Sequence, residues 1–437
     1  MFPNSQDALP LPRRPNLEQY KKLAKDLVKA FKSAEPDAIH AWAMRWVETL
    51  AKLSEITITP ELPVRIDRWI DQVADFARKK LSPTGKAKCA LADAQFVIAR
   101  SHGFESWPKF VQHIEALTHA SCPACNFETA ADAIVSGDVA TLDRLLRADP
   151  ELIRARSARE HRATLLHYIS ANGVEGYRQK TPKNSVQVAE VLLDAGAEVD
   201  AEADVYGGGA TALALVATSV HPERAGVQED LMALLLRHGA KIHDDKRIVN
   251  ACLANGRGRA AEFLADRGAR LDLEAAAGIG RLDAVRIFFS KDGTPQPPAT
   301  QAQMQRGFLW ACEYGRNDVV EFLLQKGVDL QTHANTGQTA LHWAVIGGQL
   351  DTIKLLIAHG ASLEEKNTYG GTALGQALWS AVNGGPEIDH LRLIEALIAA
   401  GAKVKADSLT WLARQETGSS SLKQLIAERL NKHIEHP

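Results

Sequence analysis

Five cysteines stand at 89, 122, 125, 252 and 312, and only Cys122 and Cys125 are spaced for joint chemistry. In SCPACNFETA, residues 121–130, they form a CxxC. Such a pair can be half of a zinc site, a redox couple, or two thiols without a role. His113 and His119 lie just upstream and could complete a Cys2His2 tetrahedron, although a structural zinc normally brings a second matching pair. The redox reading is weaker still, because CPAC is expected to open no helix on a βαβ unit. The simplest expectation is two thiols in a connector, with no metal and no other cofactor.

A second set of polar residues is cationic. The segments NGVEGYRQKTPKNS (172–185) and TSVHPERAGVQE (218–229) supply Tyr177, Arg178, Lys180, His221 and Arg224, which would suit an anionic ligand. His221 is the one candidate general base near neutral pH, and the sequence identifies no acidic partner for it. GIGRLD and YGGGAT lack the strand-loop-helix setting and the lysine of a phosphate loop, and neither GxSxG nor HExxH occurs. The sequence therefore points to binding before catalysis.

Composition narrows the partners. The 437 residues carry 51 Lys and Arg against 53 Asp and Glu, a net charge of −2, with the signs interspersed. That balance provides no field to draw in nucleic acid or an anionic membrane. The opening MFPNSQDALPLPRRPN has no apolar stretch of a secretory signal, and no apolar run approaches the roughly 20 residues of a membrane span. An odd cysteine count without framework spacing fits a reducing compartment. A cytoplasmic protein with a protein partner is the expectation.

The elements that must position these residues repeat. Thr339 to Thr372 and Gly337 to Gly370 are each 33 residues apart, and the same offset relates Trp310 to Trp343 and Gly315 to Gly348. Each unit reads as two helices. Thr339 caps the first, Gly348 ends it, and LDTIKLLIAHGA turns Ile353, Leu356 and Ile357 to one face before stopping at Gly360. Neither helix can bury its apolar face alone, so the units must stack. GQTALH at 337–342 and LLIAHGA closely resemble the ankyrin repeat. The resemblance implies an all-α solenoid of about eight helix pairs, presenting hairpin tips and inner helices to a protein partner. It also implies that His167 and His342, at the TxLH position, hydrogen-bond the backbone of the neighbouring turn.

On that pattern the exposed contact candidates are Tyr206 and Tyr369 before glycine-rich turns, Tyr314 and Trp379 on inner helices, and Glu313, Gln338 and Ile346 beside them. The inserted loops 172–185 and 218–229 belong to adjacent units. With the shortened turn between Gly256 and Gly280, they could instead frame a small-anion pocket or an enzyme site. Before the array, residues 16–120 read as a small helical bundle. Its LADAQFVIARSHGFESWPKF resembles a segment found ahead of such arrays in bacterial proteins, a likeness that brings no activity. The remaining boundaries are a disordered 1–15, a linker at 121–129, the array at 130–404 and a helical cap at 405–437.

Overall fold

The computed structural model describes residues 4–12, 14–33, 35–53, 62–81, 90–118, 122–243, 247–385, 387–415 and 418–433. It is all-α apart from short hairpin pairings such as Glu202–Ala203 with Ala210–Thr211. The chain divides into two compact units, Met1–Lys241 and Ile242–Pro437. Among the described residues, no helix is long and apolar enough to cross a membrane.

The first unit begins with five helices, α1 (Leu17–Lys32), α2 (Ala38–Leu53), α3 (Leu62–Leu81), α4 (Leu91–Ser101) and α5 (Trp107–Ala116). Their apolar faces close over Leu27, Trp42, Val73, Val97, Phe104, Phe110 and Ile114, all buried. His102 stacks on Phe110 and meets Tyr20 edge-on, and burial pushes its imidazole down to about 3. A neutral ring therefore serves as one more aromatic in the core. The expectation of a disordered 1–15 is corrected here. Ser5–Asp7 forms a capped 3-10 turn, Ala8 and Leu9 are fully buried, and Leu9 N–H donates to Ser101 O at 2.8 Å. An apolar Ala-Leu pair that fills a core groove repays the entropy of ordering its segment.

Helix pairs follow. The first is α6 (Pro123–Ser136) with α7 (Val139–Ala148). The second couples a 3-10 helix, Leu165–Ser170, to α8 (Ser185–Asp194), and the third joins α9 (Ala212–Thr218) to α11 (Gln228–Arg237). The linker expected at 121–129 is helix from Pro123 onward, since a proline at the first helical position starts α6 several residues earlier than the apolar pattern suggests. The two long segments are not open loops. The first folds into a 3-10 turn at Gly176–Arg178, and the second into α10 (Val220–Arg224).

In the second unit the pairs are α12 (Ile248–Ala254) with α13 (Gly258–Ala265), α14 (Leu273–Gly278) with α15 (Leu282–Ile287), and α16 (Gln301–Glu313) with α17 (Asn317–Gln325). Then come α18 (Ala340–Ile346) with α19 (Leu350–Ala358), α20 (Ala373–Asn383) with α21 (His390–Ala399), and α22 (Ala406–Ala413) with α23 (Ser420–Asn431). The pairing follows from local chemistry. His342 Nδ1 meets the Thr339 hydroxyl at 2.9 Å, closing the start of α18, while its Nε2 reaches Gly371 O at 3.0 Å in the next turn. His167 repeats this with Thr164 and Ala210 O. One imidazole thus caps its own helix and staples the following hairpin. Gly348 and Gly360 end their helices at positive φ, and Ile353 and Leu356 are wholly buried. Where the turn between α13 and α14 is cut short, Asp272 caps α14, and the buried Glu274 carboxylate takes Arg247 Nη2 at 3.0 Å and Arg306 Nε at 2.9 Å.

Candidate functional site

The last described pairs enclose a cleft of about 1180 Å³, lined by Gln338 and Ile346 from the α18 repeat, Tyr369 from the following hairpin, Leu378 and Trp379 from α20, Ile388, and Trp411 from α22. Its aromatic wall is built by backbone chemistry. Asn367 Oδ1 accepts the N–H groups of Tyr369 and Gly371 at 3.0 Å each, folding a tight finger that lifts Tyr369 to 80% exposure. Thr368 N–H donates to Thr336 O at 3.1 Å, tying this finger to its neighbour. Gly337 permits that approach, since a Cβ there would lie 2.8 Å from Thr368 N. Helix α20 runs on to Asn383, so Trp379 rides on a helix longer than α18 and stays 53% exposed. Beyond it, Asp389 caps α21, His390 meets Gly385 O at 3.2 Å, and Ile388 packs beside Gly348.

Four of the seven expected contact residues, Gln338, Ile346, Tyr369 and Trp379, thus line one site. The side-chain oxygen of Gln338 is buried without a hydrogen-bond partner, which leaves an acceptor for an incoming N–H. Trp411 and Leu378 belong to the site and were missed from the sequence. Trp411 stands in what reads as a terminal cap, and only its depth in the cleft marks it.

The other three do not line this cleft. Tyr314 donates its hydroxyl to Leu253 O at 2.6 Å and lays its ring on Gly258, where a Cβ would come within 2.8 Å of the ring. It is a packing residue, because a helix-end tyrosine reaches back across the stack to a carbonyl that also accepts the Gly256 N–H at 3.0 Å. Glu313 is half-buried on the same helix, with no cationic partner among the described residues, and burial pushes its carboxyl up to about 7. Tyr206 is 68% exposed in the first unit, where its hydroxyl donates to Asn172 Oδ1 at 2.6 Å and accepts from Gln6.

The cationic set is also dispersed. Arg178 is buried, donating to Asp132 Oδ1 at 2.8 Å and pairing with Glu128 Oε2 at 2.8 Å and Glu175 at 3.5 Å. Tyr177 accepts from Arg159 Nη2 at 3.2 Å and packs on the bundle core. Lys180 and Arg224 are exposed. His221 is half-buried, its imidazole lowered by that burial and by Arg224 and Arg65. Within the 172–185 segment Glu175 and Arg178 are therefore spent on internal pairs. Arg159, fully buried, joins Glu128 at 2.7 Å and Glu175 at 2.8 Å beneath the Phe104 ring. Burial opposes ionisation of Glu128, but Arg159 and Arg178 outweigh it and hold the carboxyl down at about 2. This charged layer fixes the bundle on the first repeats, reinforced by Glu160 N–H donating to Gly103 O at 2.8 Å. The turn around Gly103 is thereby occupied.

His113 faces this layer and not the cysteines. Its ring lies 4.9 Å from Phe104 and 3.6 Å from Glu128, and burial lowers it to about 4. Of the tetrahedron considered for zinc, His119 lies outside the described residues. Cys122 and Cys125 face each other across the first turn of α6, and among the described residues no group of three or more His, Cys, Asp and Glu side chains is placed to hold a metal.

Comparison with known families is decisive for the repeats. Residues 308–408 match the family model of ankyrin repeats, in three copies. The chain contains ankyrin repeats. The matched span runs from within α16 into α22 and carries most of the cleft, while Trp411 stands just beyond it. The histidine staple at His167 places ankyrin geometry well before that span. No curated protein matches the chain.

Proposed function

We propose that this protein captures a protein partner in the cleft between Gln338 and Trp411, with Tyr369 and Trp379 as the aromatic anchors. Ankyrin repeats are in general protein-binding modules. The observation that carries this reading is the convergence of two exposed aromatics on one concave, largely apolar surface. Scattered exposed apolar residues are ordinary, whereas a rimmed aromatic cleft is the composition of an interface hot spot. At about 1180 Å³ the cleft exceeds the roughly 300–1,000 Å³ of small-molecule sites and suits a peptide segment. Such a segment would place an apolar side chain between the anchors and a backbone N–H against Gln338.

The test is photo-crosslinking from position 369 in the full-length protein, comparing the polypeptides captured with and without Trp379→Ala. Truncating a hot-spot aromatic costs about 2 kcal/mol or more, so capture should fall by more than about tenfold while the melting temperature holds. Unchanged capture with Trp379→Ala would remove the cleft from consideration.

A further inference from the structure

The partner cleft makes no use of the cysteine pair, and the structure changes what that pair can do. CPAC does open a helix. Pro123 holds the first position of α6, and Cys122 is its N-cap in extended conformation, with φ −73° and ψ 153°. In that position Cys122 Sγ accepts the Cys125 N–H at 3.0 Å and lies against Cys125 Sγ. Both residues are partly exposed. The first turn of a helix leaves N–H groups without intrahelical partners, and Cys122 Sγ takes one of them. Cys125 sits inside the turn, where burial and the neighbouring Cys122 push its thiol up to about 11. The environments of the two sulfurs are thus unequal, as an attacking and a resolving thiol require. By contrast Cys252 and Cys312 are fully buried within repeat helices, out of reach of a reagent.

We propose that Cys122 and Cys125 form a reversible dithiol–disulfide couple that exchanges two electrons with a low-molecular-weight disulfide, Cys122 attacking and Cys125 resolving. The Cys122 thiolate attacks one sulfur of the small disulfide, breaking its S–S bond and forming a mixed disulfide, and the first small thiolate departs to take up a proton. Cys125, giving its proton to water, then attacks Cys122 Sγ. The mixed S–S bond breaks, the protein disulfide forms, and the second small thiol leaves. The protein loses two electrons, the small disulfide gains them, and every sulfur is accounted for.

The test equilibrates the full-length protein with glutathione buffers of increasing oxidation, quenches with an alkylating reagent, and maps the 122–125 peptide by mass. The expected result is one reversible transition in which both alkylation sites vanish together, while Cys252 and Cys312 remain alkylatable after denaturation. Cys125→Ser should halt at one glutathione on Cys122, and Cys122→Ser should react at Cys125 at least about tenfold more slowly. A peptide that stays doubly alkylated in fully oxidised glutathione overturns the proposal. So does faster reaction at Cys125 than at Cys122, or stoichiometric zinc released from the purified protein by thiol alkylation.

Discussion

Arg159→Met is the sharpest perturbation of the charged layer. The arginine is fully buried, touches Glu128 at 2.7 Å and Glu175 at 2.8 Å, and bonds Tyr177 at 3.2 Å. Methionine fills much of the volume but strands Glu175, which is itself fully buried and would keep only the longer contacts to Arg178 at 3.5 Å, His161 at 3.5 Å and the Tyr168 hydroxyl at 3.4 Å. Removing one partner of a buried ion pair costs about 3–5 kcal/mol, because the other charge stays desolvated. Arg100→Ala is the control, since its pair with Glu160 is partly exposed and such pairs contribute about 0.2–1 kcal/mol. Denaturant-dependent hydrogen exchange, read on peptides from α4 to α8, measures both. A loss for Arg159→Met no greater than for Arg100→Ala would refute the claim that this layer holds the bundle to the repeats. The pH profile gives a second check. Glu128 is depressed from 4.5 to about 2, so its contribution is fully present above 4.5 and is lost as pH falls toward 2. At 1.36 kcal/mol per unit that loss is on the order of 3 kcal/mol, and it should shrink in Arg159→Met.

Three further outcomes follow from the repeats. Glu313 has a folded value of about 7 against 4.5 unfolded, so the fold loses stability as pH rises through that window. Glu313→Gln should therefore raise stability by up to about 3 kcal/mol at about pH 8 and change little near pH 4, as followed by thermal melts across pH. A Cβ on Gly347 would fall 1.8 Å from the Glu313 carbonyl oxygen, so Gly347→Ala must displace backbone between α16 and α18. A loss of about 1–3 kcal/mol in urea unfolding is expected. Tyr314→Ala removes the bond to Leu253 O and the packing on Gly258. It should cost about 2 kcal/mol in the same assay while leaving partner capture within about twofold, the opposite balance to Trp379→Ala.

The repeats were legible because their grammar is local. The 33-residue offset, the Thr-His pair and the glycine stops all act within one unit and its neighbour, so spacing alone locates Gln338, Ile346, Tyr369 and Trp379. What could not be read is long-range. Arg178 looks like an exposed loop cation until the 172–185 segment folds against α6, and nothing near it in the chain announces Glu128 or Asp132 as partners. Leu9 sits in a proline-rich leader, yet its burial depends on a groove made by α4. Tyr314 resembles a surface contact because its acceptor, Leu253 O, is 61 residues away. The start of α6 escaped the sequence for a smaller reason, since its apolar pattern begins near Phe127 and its helix begins at Pro123.

The charged layer also bears on how the chain can be divided. Its members come from both sides of the junction near residue 120: Phe104 before it, and Glu128, Arg159, Glu175 and Arg178 after it. A backbone break between residues 118 and 122 would sever no member of that layer from the contacts that satisfy it. The N-terminal helices and the remainder of the chain, produced as two separate polypeptides, should therefore find each other and reassemble as a split protein does. The N-terminal piece alone would leave Phe104 uncovered, and the remainder would keep its ion pairs but lose that ring and the His113 contact to Glu128.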